Sequence, residues 1–256
     1  MILVLAGTLE GRDTAALLQQ AGFPVTASVV TGYGCDLLQK QGLNRILTGV
    51  LDEAALTAIL QQGVRLLVDA THPFAALASH TAMAAARVTG VPYLRLERPA
   101  AELPVHPMVY RAADLESAVS QALSLGKVLF STLGSKSLPP LLTAASQAGA
   151  KVIVRVLPDS GVIRRCLELG LTPGEIIALQ GPCSMELNKA FYRHYQAEVV
   201  LTKDSGSTGG VAEKVAAAVE AGIPVVVWQR PKIYYPLVFH KPEEILGYCL
   251  KHVKNG

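Results

Sequence analysis

The sequence predicts an α/β protein built from two doubly wound parallel sheets. Short apolar runs alternate with helical patterns along the chain, and the runs are apolar at successive positions rather than at every second one. Strands of this kind, each followed by a helix, form parallel sheets that are covered on both faces. About ten such runs occur, which is many for one sheet, so two sheets fit better.

The first half of the chain supplies five of these strands. They are predicted at 2–6, 25–30, 45–47, 66–69 and 92–96. Helices are predicted at 11–20, 53–62 and 75–88, where the sequence has a helical pattern. The segment 99–107 contains three prolines and breaks the pattern, so it is the predicted linker. We therefore expect a first domain at 1–100.

The second half repeats this organisation. Its strands are predicted at 128–131, 151–156, 176–178, 199–201 and 225–228. Helices are predicted at 139–148 and 184–194, and another begins after a glycine-rich loop near residue 211. We expect a second domain at 101–256.

Composition excludes several classes of protein. Half of the 256 residues are apolar and 17% are charged, which is ample for a large core. The net charge of +3 is too small, and too scattered, to indicate nucleic-acid binding. No apolar stretch is long enough to span a membrane, and the first residues predict a strand rather than a signal peptide. The four cysteines form no C-x-x-C pair, which favours thiols in a reducing cytoplasm.

The segment 199–214 is the most informative one. A buried strand ends in a loop that carries Lys203, Asp204, Ser205 and three glycines, and a helix begins directly after it. A helix N-terminus presents unpaired backbone N–H groups to an anion, and the lysine adds a positive charge. The loop therefore predicts a phosphate or carboxylate site.

The first strand is followed by Gly7-Thr-Leu-Glu-Gly-Arg12, a second small-residue turn before a helix. Such a turn lets a backbone approach a phosphate, although the G-x-G-x-x-G fingerprint is absent and a tight structural turn explains Gly7 equally well. The second strand ends without the acidic residue that usually binds the ribose of NAD, which favours NADPH weakly.

His72 lies in Asp69-Ala-Thr-His-Pro-Phe74, just beyond the fourth strand. An imidazole titrates near neutral pH, so it is a candidate general acid. The alternatives are that it caps the next helix or lines a nucleotide pocket.

Four basic residues share a position in the predicted topology. Lys136, Arg155, Lys203 and Arg230 all lie at carboxyl ends of strands. Each alone is an ordinary surface charge, but the fold should collect them along one rim, where open α/β sheets bind ligands. Several cations on one rim indicate a ligand with several negative charges, either a nucleotide or a polycarboxylate. No metal-binding or nucleophile-elbow motif occurs in the sequence.

Six motifs, in order, resemble those of the precorrin-6A reductase family of cobalamin biosynthesis, including its cobalt-precorrin branch. They are Gly7-Thr-Leu-Glu-Gly-Arg12, Asp69-Ala-Thr-His-Pro-Phe-Ala75, Tyr93-x-Arg95-x-Glu97-Arg98-Pro99, Thr132-Leu-Gly-Ser-Lys136, Gln180-Gly-Pro182 and Thr202-Lys-Asp-Ser-Gly206. The resemblance runs over essentially the whole chain. It implies reduction of a double bond of the precorrin-6A or cobalt-precorrin-6A macrocycle with NADPH or NADH.

The resemblance also implies an architecture and a division of roles. It implies two Rossmann-like domains that exchange their final strands, so that the strand near 225–229 would pair with the first sheet. One domain holds the coenzyme, the other helps to hold the tetrapyrrole, and the product is handed to the next enzyme of the pathway.

Residue assignments follow from the resemblance. The expected cofactor-binding residues are Gly7, Thr8, Glu10, Gly11, Thr31, Thr71, His72 and Pro73. The expected substrate-binding residues are Lys136, Arg155, Lys203, Ser205, Gly206, Gly209, Gly210, Arg98 and Arg230. Asp204 and His72 are the candidate proton donors, with water as the alternative.

Two other functions remain compatible with the residues. A doubly wound fold can bind a nucleotide without catalysing a reaction. An α/β methyltransferase of the same pathway is the other alternative, and binding of S-adenosylmethionine instead of NADPH would identify it.

Overall fold

The computed structural model describes residues 1–206 and 208–253 and divides the chain into two compact units. The first comprises Met1–Pro99 together with the segment from Lys232 onward, and the second comprises Ala100–Pro231. The first unit therefore takes both ends of the chain. The second domain had been expected to include everything beyond residue 100.

The strands of the two units alternate with helices. In the first unit they are β1 (Ile2–Leu5), β2 (Val25–Val29), β3 (Ile46–Thr48), β4 (Leu66–Asp69) and β5 (Tyr93–Leu96). In the second they are β6 (Val109–Ala112), β7 (Val128–Ser131), β8 (Lys151–Val156), β9 (Ile176–Ala178), β10 (Val199–Lys203) and β11 (Val225–Trp228), and the chain then returns to the first unit with β12 (Val238–Phe239).

Ten α-helices lie within the described residues. The first unit contains α1 (Leu9–Gln20), α2 (Gly32–Lys40), α3 (Glu53–Leu60) and α4 (Ala76–Thr89). The second contains α5 (Leu115–Leu125), α6 (Leu138–Gln147), α7 (Ser160–Glu168), α8 (Met185–His194) and α9 (Val211–Glu220), and the first unit ends with α10 (Pro242–His252).

Both sheets have six parallel strands in the same arrangement. The first has the order β12-β5-β4-β1-β2-β3 and the second β6-β11-β10-β7-β8-β9. The prediction of two doubly wound parallel sheets is confirmed. β1 and β4 are buried along their whole length and β11 at its three valines, as their continuous apolar character predicts.

The edge strands are exchanged between the sheets. β6 follows the five strands of the first unit in sequence but pairs with β11 in the second sheet. β12 follows the strands of the second unit but pairs with β5 in the first sheet. The expectation that the strand near 225–229 pairs with the first sheet is wrong. Val225–Trp228 lies between β10 and β6, where its apolar side chains are buried on both faces.

The C-terminal helix belongs to the same exchange. Ile245 and Cys249 of α10 are fully buried in a core cluster of the first unit, and α10 packs against α1. The two-residue strand β12 adds few backbone hydrogen bonds. The returning segment is therefore held to the first unit mainly by this burial of apolar side chains.

Candidate functional site

Thr8 joins the turn after β1 to the end of β4. Its side-chain oxygen accepts a hydrogen bond from the N–H of Gly11 at 3.1 Å and its hydroxyl donates to the carbonyl of Ala70 at 2.9 Å. Thr8 is thus the N-cap of α1, and the hydrogen bond to Ala70 fixes the position of that helix end.

Gly11 lets the two turns approach closely. A Cβ atom at this position would lie 2.9 Å from Cβ of Ala70 and 3.0 Å from Cα of Ala6. At Gly7, by contrast, nothing lies within 4 Å of a Cβ atom. Gly11 is therefore required by packing, whereas Gly7 borders open space.

Replacement of Gly11 by alanine is expected to lower the free energy of unfolding by about 1–3 kcal/mol, because the added methyl group overpacks the contact with Ala70. Urea denaturation measures this change. Gly7→Ala is the matched control and should be nearly neutral. Equal stability of Gly11→Ala and the natural protein would contradict the packing argument.

Four of the eight predicted cofactor residues, Thr8, Glu10, Thr71 and Pro73, lie close together. One small cavity is lined by Thr8, Glu10, Thr71, Pro73, Arg95, Leu96 and Arg98. Arg98 Nη1 lies 3.2 Å from Glu10 Oε1, so the charge of Glu10 in the first turn of α1 is offset by a cation. Arg98 was predicted to bind the substrate. The structure places it beside Glu10, one of the predicted cofactor residues, and its assignment to the substrate stays a prediction.

Arg95, which lines this cavity, belongs to a buried ion pair. Arg95 and Asp69 are both fully buried, with Arg95 Nη1 2.8 Å from Asp69 Oδ1. The hydroxyl of Tyr93 donates to Asp69 Oδ2 at 2.7 Å, and Arg95 Nε donates to Glu97 at 2.6 Å. Burial alone would raise the pKa of Asp69, but the charge of Arg95 and several hydrogen bonds outweigh it and hold that pKa below its usual range.

The same arginine positions the loop that follows β4. Arg95 donates to both the hydroxyl and the carbonyl oxygen of Thr71 at 3.0 Å. Nδ1 of His72 accepts the N–H of Phe74 at 3.1 Å, so this histidine shapes the turn before α4. Sequence reasoning missed the role of Asp69 and of Arg95. The available signal was a charged residue in each of two otherwise apolar strands.

Thr31 lies at the end of β2, the strand next to β1. Its side chain accepts the N–H of Gly34 at 3.1 Å and caps α2, a helix that its two glycines had hidden from the sequence prediction. Thr31 itself is exposed beside this helix N-terminus.

The predicted rim of cations in the second unit follows from its strand order. β11, β10, β7 and β8 are neighbours in the sheet, and each contains or precedes one of the four basic residues. Lys136 is exposed, Lys203 is half-buried and Arg155 is only 7% exposed. Nη1 of Arg155 donates to Oδ1 of the buried Asn188 at 2.8 Å, so a residue of α8 holds this guanidinium in position.

Contacts of Asp204 and the conformations of nearby glycines fix parts of the loop that follows β10. Asp204 Oδ1 accepts the N–H of Gly206 at 3.2 Å and lies 3.4 Å from Nη2 of Arg230. Gly206 and Gly210 have φ angles of +81° and +63°, which favour glycine. A Cβ atom at Gly209 would collide with the side chain of Ser205, which is buried under the loop. Thus Asp204 and Arg230, predicted for catalysis and for substrate binding, contact each other, and both roles stay predictions.

Lys214 is a residue that sequence reasoning missed. It lies in the first turns of α9 and is only 6% exposed, and its Nζ donates to the carbonyl of Gly209 at 2.9 Å. Burial, together with the charges of Arg155 and Lys203, lowers its pKa to about 7.

Within the part of the chain that the structure describes, no group of three histidine, cysteine, aspartate or glutamate side chains is arranged to hold a metal ion. None of the helices in that part is long and apolar enough to cross a membrane. All four cysteines are free.

Comparison with known proteins identifies the family. The family described as precorrin-6x reductase CbiJ/CobK matches residues 1–250. A cobalt-precorrin-6A reductase of Methanothermobacter thermautotrophicus is 39% identical over 99% of this chain and 85% of its own length. One from Priestia megaterium is 36% identical over the full length of both chains.

A solved structure agrees with the fold. A CobK precorrin-6A reductase superposes with a TM-score of 0.79 at 24% identity, covering 98% of this chain and 97% of its own. Because the family matches nearly the whole chain and the relatives cover it end to end, the protein belongs to the precorrin-6x reductase family.

Proposed function

We propose that this protein reduces one double bond of the cobalt-precorrin-6A or precorrin-6A macrocycle with NADPH or NADH, in cobalamin biosynthesis. The observation that carries the proposal is the family match over residues 1–250. The rim of cations in the second unit supports it, because a macrocycle with several carboxylates needs several basic partners.

The first unit is the proposed coenzyme site. The N-terminus of α1, capped by Thr8, offers backbone N–H groups to a pyrophosphate, and the open space beside Gly7 leaves room for it. The carboxylate of Glu10 would repel a phosphate, but its pairing with Arg98 offsets that charge. These features fit a nicotinamide dinucleotide. NADPH is favoured because β2 ends without an acidic residue.

When bound, the nicotinamide supplies the hydride, and the protein's task is to bind and orient the reactants. Lys136, Arg155, Lys203 and Arg230 are proposed to hold carboxylates. Reduction of a C=C bond also consumes a proton, for which Asp204, His72 and water are the candidates. The tetrapyrrole is the proposed small-molecule partner, and the product is proposed to be handed over to the next enzyme of the pathway.

The direct test is an assay with purified protein, each of the two macrocycles and each reduced nucleotide, in which nucleotide oxidation is followed by absorbance. We expect oxidation that depends on the macrocycle, and faster with NADPH than with NADH. Absence of oxidation in all four combinations would overturn the proposal. Nucleotide binding without turnover would then indicate a binding protein, and binding of S-adenosylmethionine alone would indicate a methyltransferase.

A further inference from the structure

Arg155 is a buried cation on the face of the second sheet that α8 covers. Side chains alternate along a strand, so Arg155 shares a face of β8 with Ile153, which packs in one core cluster with Tyr192 of α8. The guanidinium is only 7% exposed. Removing a charge from water is costly unless a partner compensates it. The partners of this guanidinium therefore indicate what it is placed to do.

The protein gives Arg155 a neutral partner instead of a carboxylate. Among the residues that the structure describes, no aspartate or glutamate forms an ion pair with it, and its one hydrogen bond runs from Nη1 to Oδ1 of Asn188 at 2.8 Å. Lys214, buried on α9, acts on it as a like charge. The described side chains thus leave the positive charge of Arg155 uncompensated.

The rest of the guanidinium is open. A guanidinium also carries N–H donors on Nε and Nη2. No described residue accepts from these nitrogens, yet neither is among the fully buried polar atoms that lack a partner. They therefore keep contact with solvent, and a ligand at the carboxyl end of β8 can reach them.

Asn188 is fixed in a single orientation. Its Nδ2 donates to the carbonyl oxygen of Cys183 at 3.1 Å and to that of Ser184 at 2.8 Å. Because carbonyl oxygens only accept hydrogen bonds, the amide nitrogen must face them and the amide oxygen must face Arg155. Asn188 is fully buried in the first turn of α8, so the helix end holds the amide and the amide holds Nη1 of Arg155.

We propose that Asn188 is a positioning residue that determines which ligands Arg155 accepts. It fixes the guanidinium and, because the amide is neutral, leaves the positive charge to an anionic group of the substrate. A guanidinium held at one nitrogen can still present others to the two oxygens of a carboxylate. That this group is a carboxylate of the tetrapyrrole rests on the proposed function.

Two substitutions at this position separate charge from fixation. Asn188→Asp keeps the size and places a competing carboxylate against Arg155, so we expect the KM for the macrocycle to rise by about tenfold or more. Asn188→Leu removes the acceptor without adding a charge, and we expect a rise of about threefold. Both variants lose the bonds to Cys183 and Ser184, so the difference between them reports on the added charge. Equal KM values in the two variants would overturn the proposal.

The other kinetic constants distinguish this role from a loss of stability. Because Arg155 is proposed to bind substrate and transition state alike, kcat should be nearly unchanged, and so should the KM for the nucleotide. Asn44→Asp, the same replacement at an exposed position of the first unit, should behave as the natural protein does. Urea denaturation confirms that each variant is folded.

A double-mutant cycle tests whether Asn188 acts through Arg155. Arg155→Met removes the guanidinium, so adding Asn188→Leu to it should raise the KM for the macrocycle no further. Additive effects of the two substitutions would show that Asn188 acts independently of Arg155 and would overturn the proposal.

A measurement on the natural protein does not depend on how the variants fold. The chain contains three asparagines, so labelling them with ¹⁵N gives three side-chain amide signals in an NMR spectrum. The buried amide of Asn188 is identified by its slow exchange with solvent, and we expect it to shift when the macrocycle is added and not when NADPH is added alone. A macrocycle that is reduced without this shift would overturn the inference alone. A macrocycle that causes the shift but is not reduced would overturn the proposed function alone, and one that does not bind would overturn both.

Discussion

Replacement of Arg95 by methionine is expected to lower the free energy of unfolding by about 3–5 kcal/mol, because it leaves Asp69 as a buried carboxylate without its cation. Both side chains are fully buried, and Arg95 also makes hydrogen bonds to Thr71 and Glu97 and lies over the ring of Tyr235. Urea denaturation at neutral pH measures the loss. Methionine retains most of the side-chain volume, so the change reports mainly on charge and hydrogen bonds.

The surface pair of the half-buried Lys189 and the exposed Glu220 provides the control for this experiment. Lys189→Met breaks an ion pair of 2.6 Å at the surface and should cost less than about 1 kcal/mol. The same small cost for Arg95→Met would contradict the argument that burial makes the Arg95–Asp69 contact important.

The buried pair should also shape the response to acid. The pKa of Asp69 is held below its usual value in the folded protein, so the unfolded chain takes up the proton first as the pH falls. The stabilisation is therefore present above about pH 4 and is lost as the pH drops through the folded-state value. The part of this loss that comes from Asp69 should be absent in Asp69→Asn, which has no titrating group at this position, whereas Asp114, Glu186 and Glu244, whose pKa values are also lowered, keep their contributions.

Replacement of Lys203 by alanine is expected to weaken macrocycle binding by about 2–3 kcal/mol and to leave nucleotide affinity unchanged, because it leaves a substrate carboxylate without its partner. Lys203 is half-buried at the end of β10 and belongs to the second unit, whereas the proposed nucleotide residues belong to the first. Equilibrium titration of each ligand separately measures the two affinities.

Lys136→Ala is the comparison for this variant. Lys136 is exposed, so water compensates part of its loss and the effect on the macrocycle should be smaller, about 1 kcal/mol. Equal losses for nucleotide and macrocycle in Lys203→Ala would contradict the assignment of the two ligands to different units.

Most of the second unit's architecture could be predicted, and the omissions have local causes. The strands at 128–131, 151–156, 176–178 and 225–228 have the same bounds in sequence and structure, because strands of a covered parallel sheet form short, largely apolar runs. β6 was missed because Arg111 interrupts its apolar run, and β12 was missed because it has only two residues. α2 was missed because Gly32 and Gly34 are poor helix formers, and the cap by Thr31 compensates only in the folded chain.

The candidate site, too, could be predicted only in part from the sequence. The sequence placed Lys136, Arg155, Lys203 and Arg230 at strand ends, and the strand order brings those ends together. It did not indicate that Arg98 pairs with Glu10, that Arg230 pairs with Asp204, or that Lys214 is buried. Each of these depends on residues that are far apart in the chain or on the depth of a helix face.

The sequence by itself determined the α/β class, the number of sheets, the glycine turns and the ends of strands at which ligand-binding residues lie. These are properties of local apolar patterns and of backbone chemistry within a few residues. The tertiary structure decided which sheet each edge strand joins, which cations have a carboxylate partner and which lysine is removed from water. Pairing and burial are long-range contacts, selected by packing of the whole chain, and no local pattern encodes them.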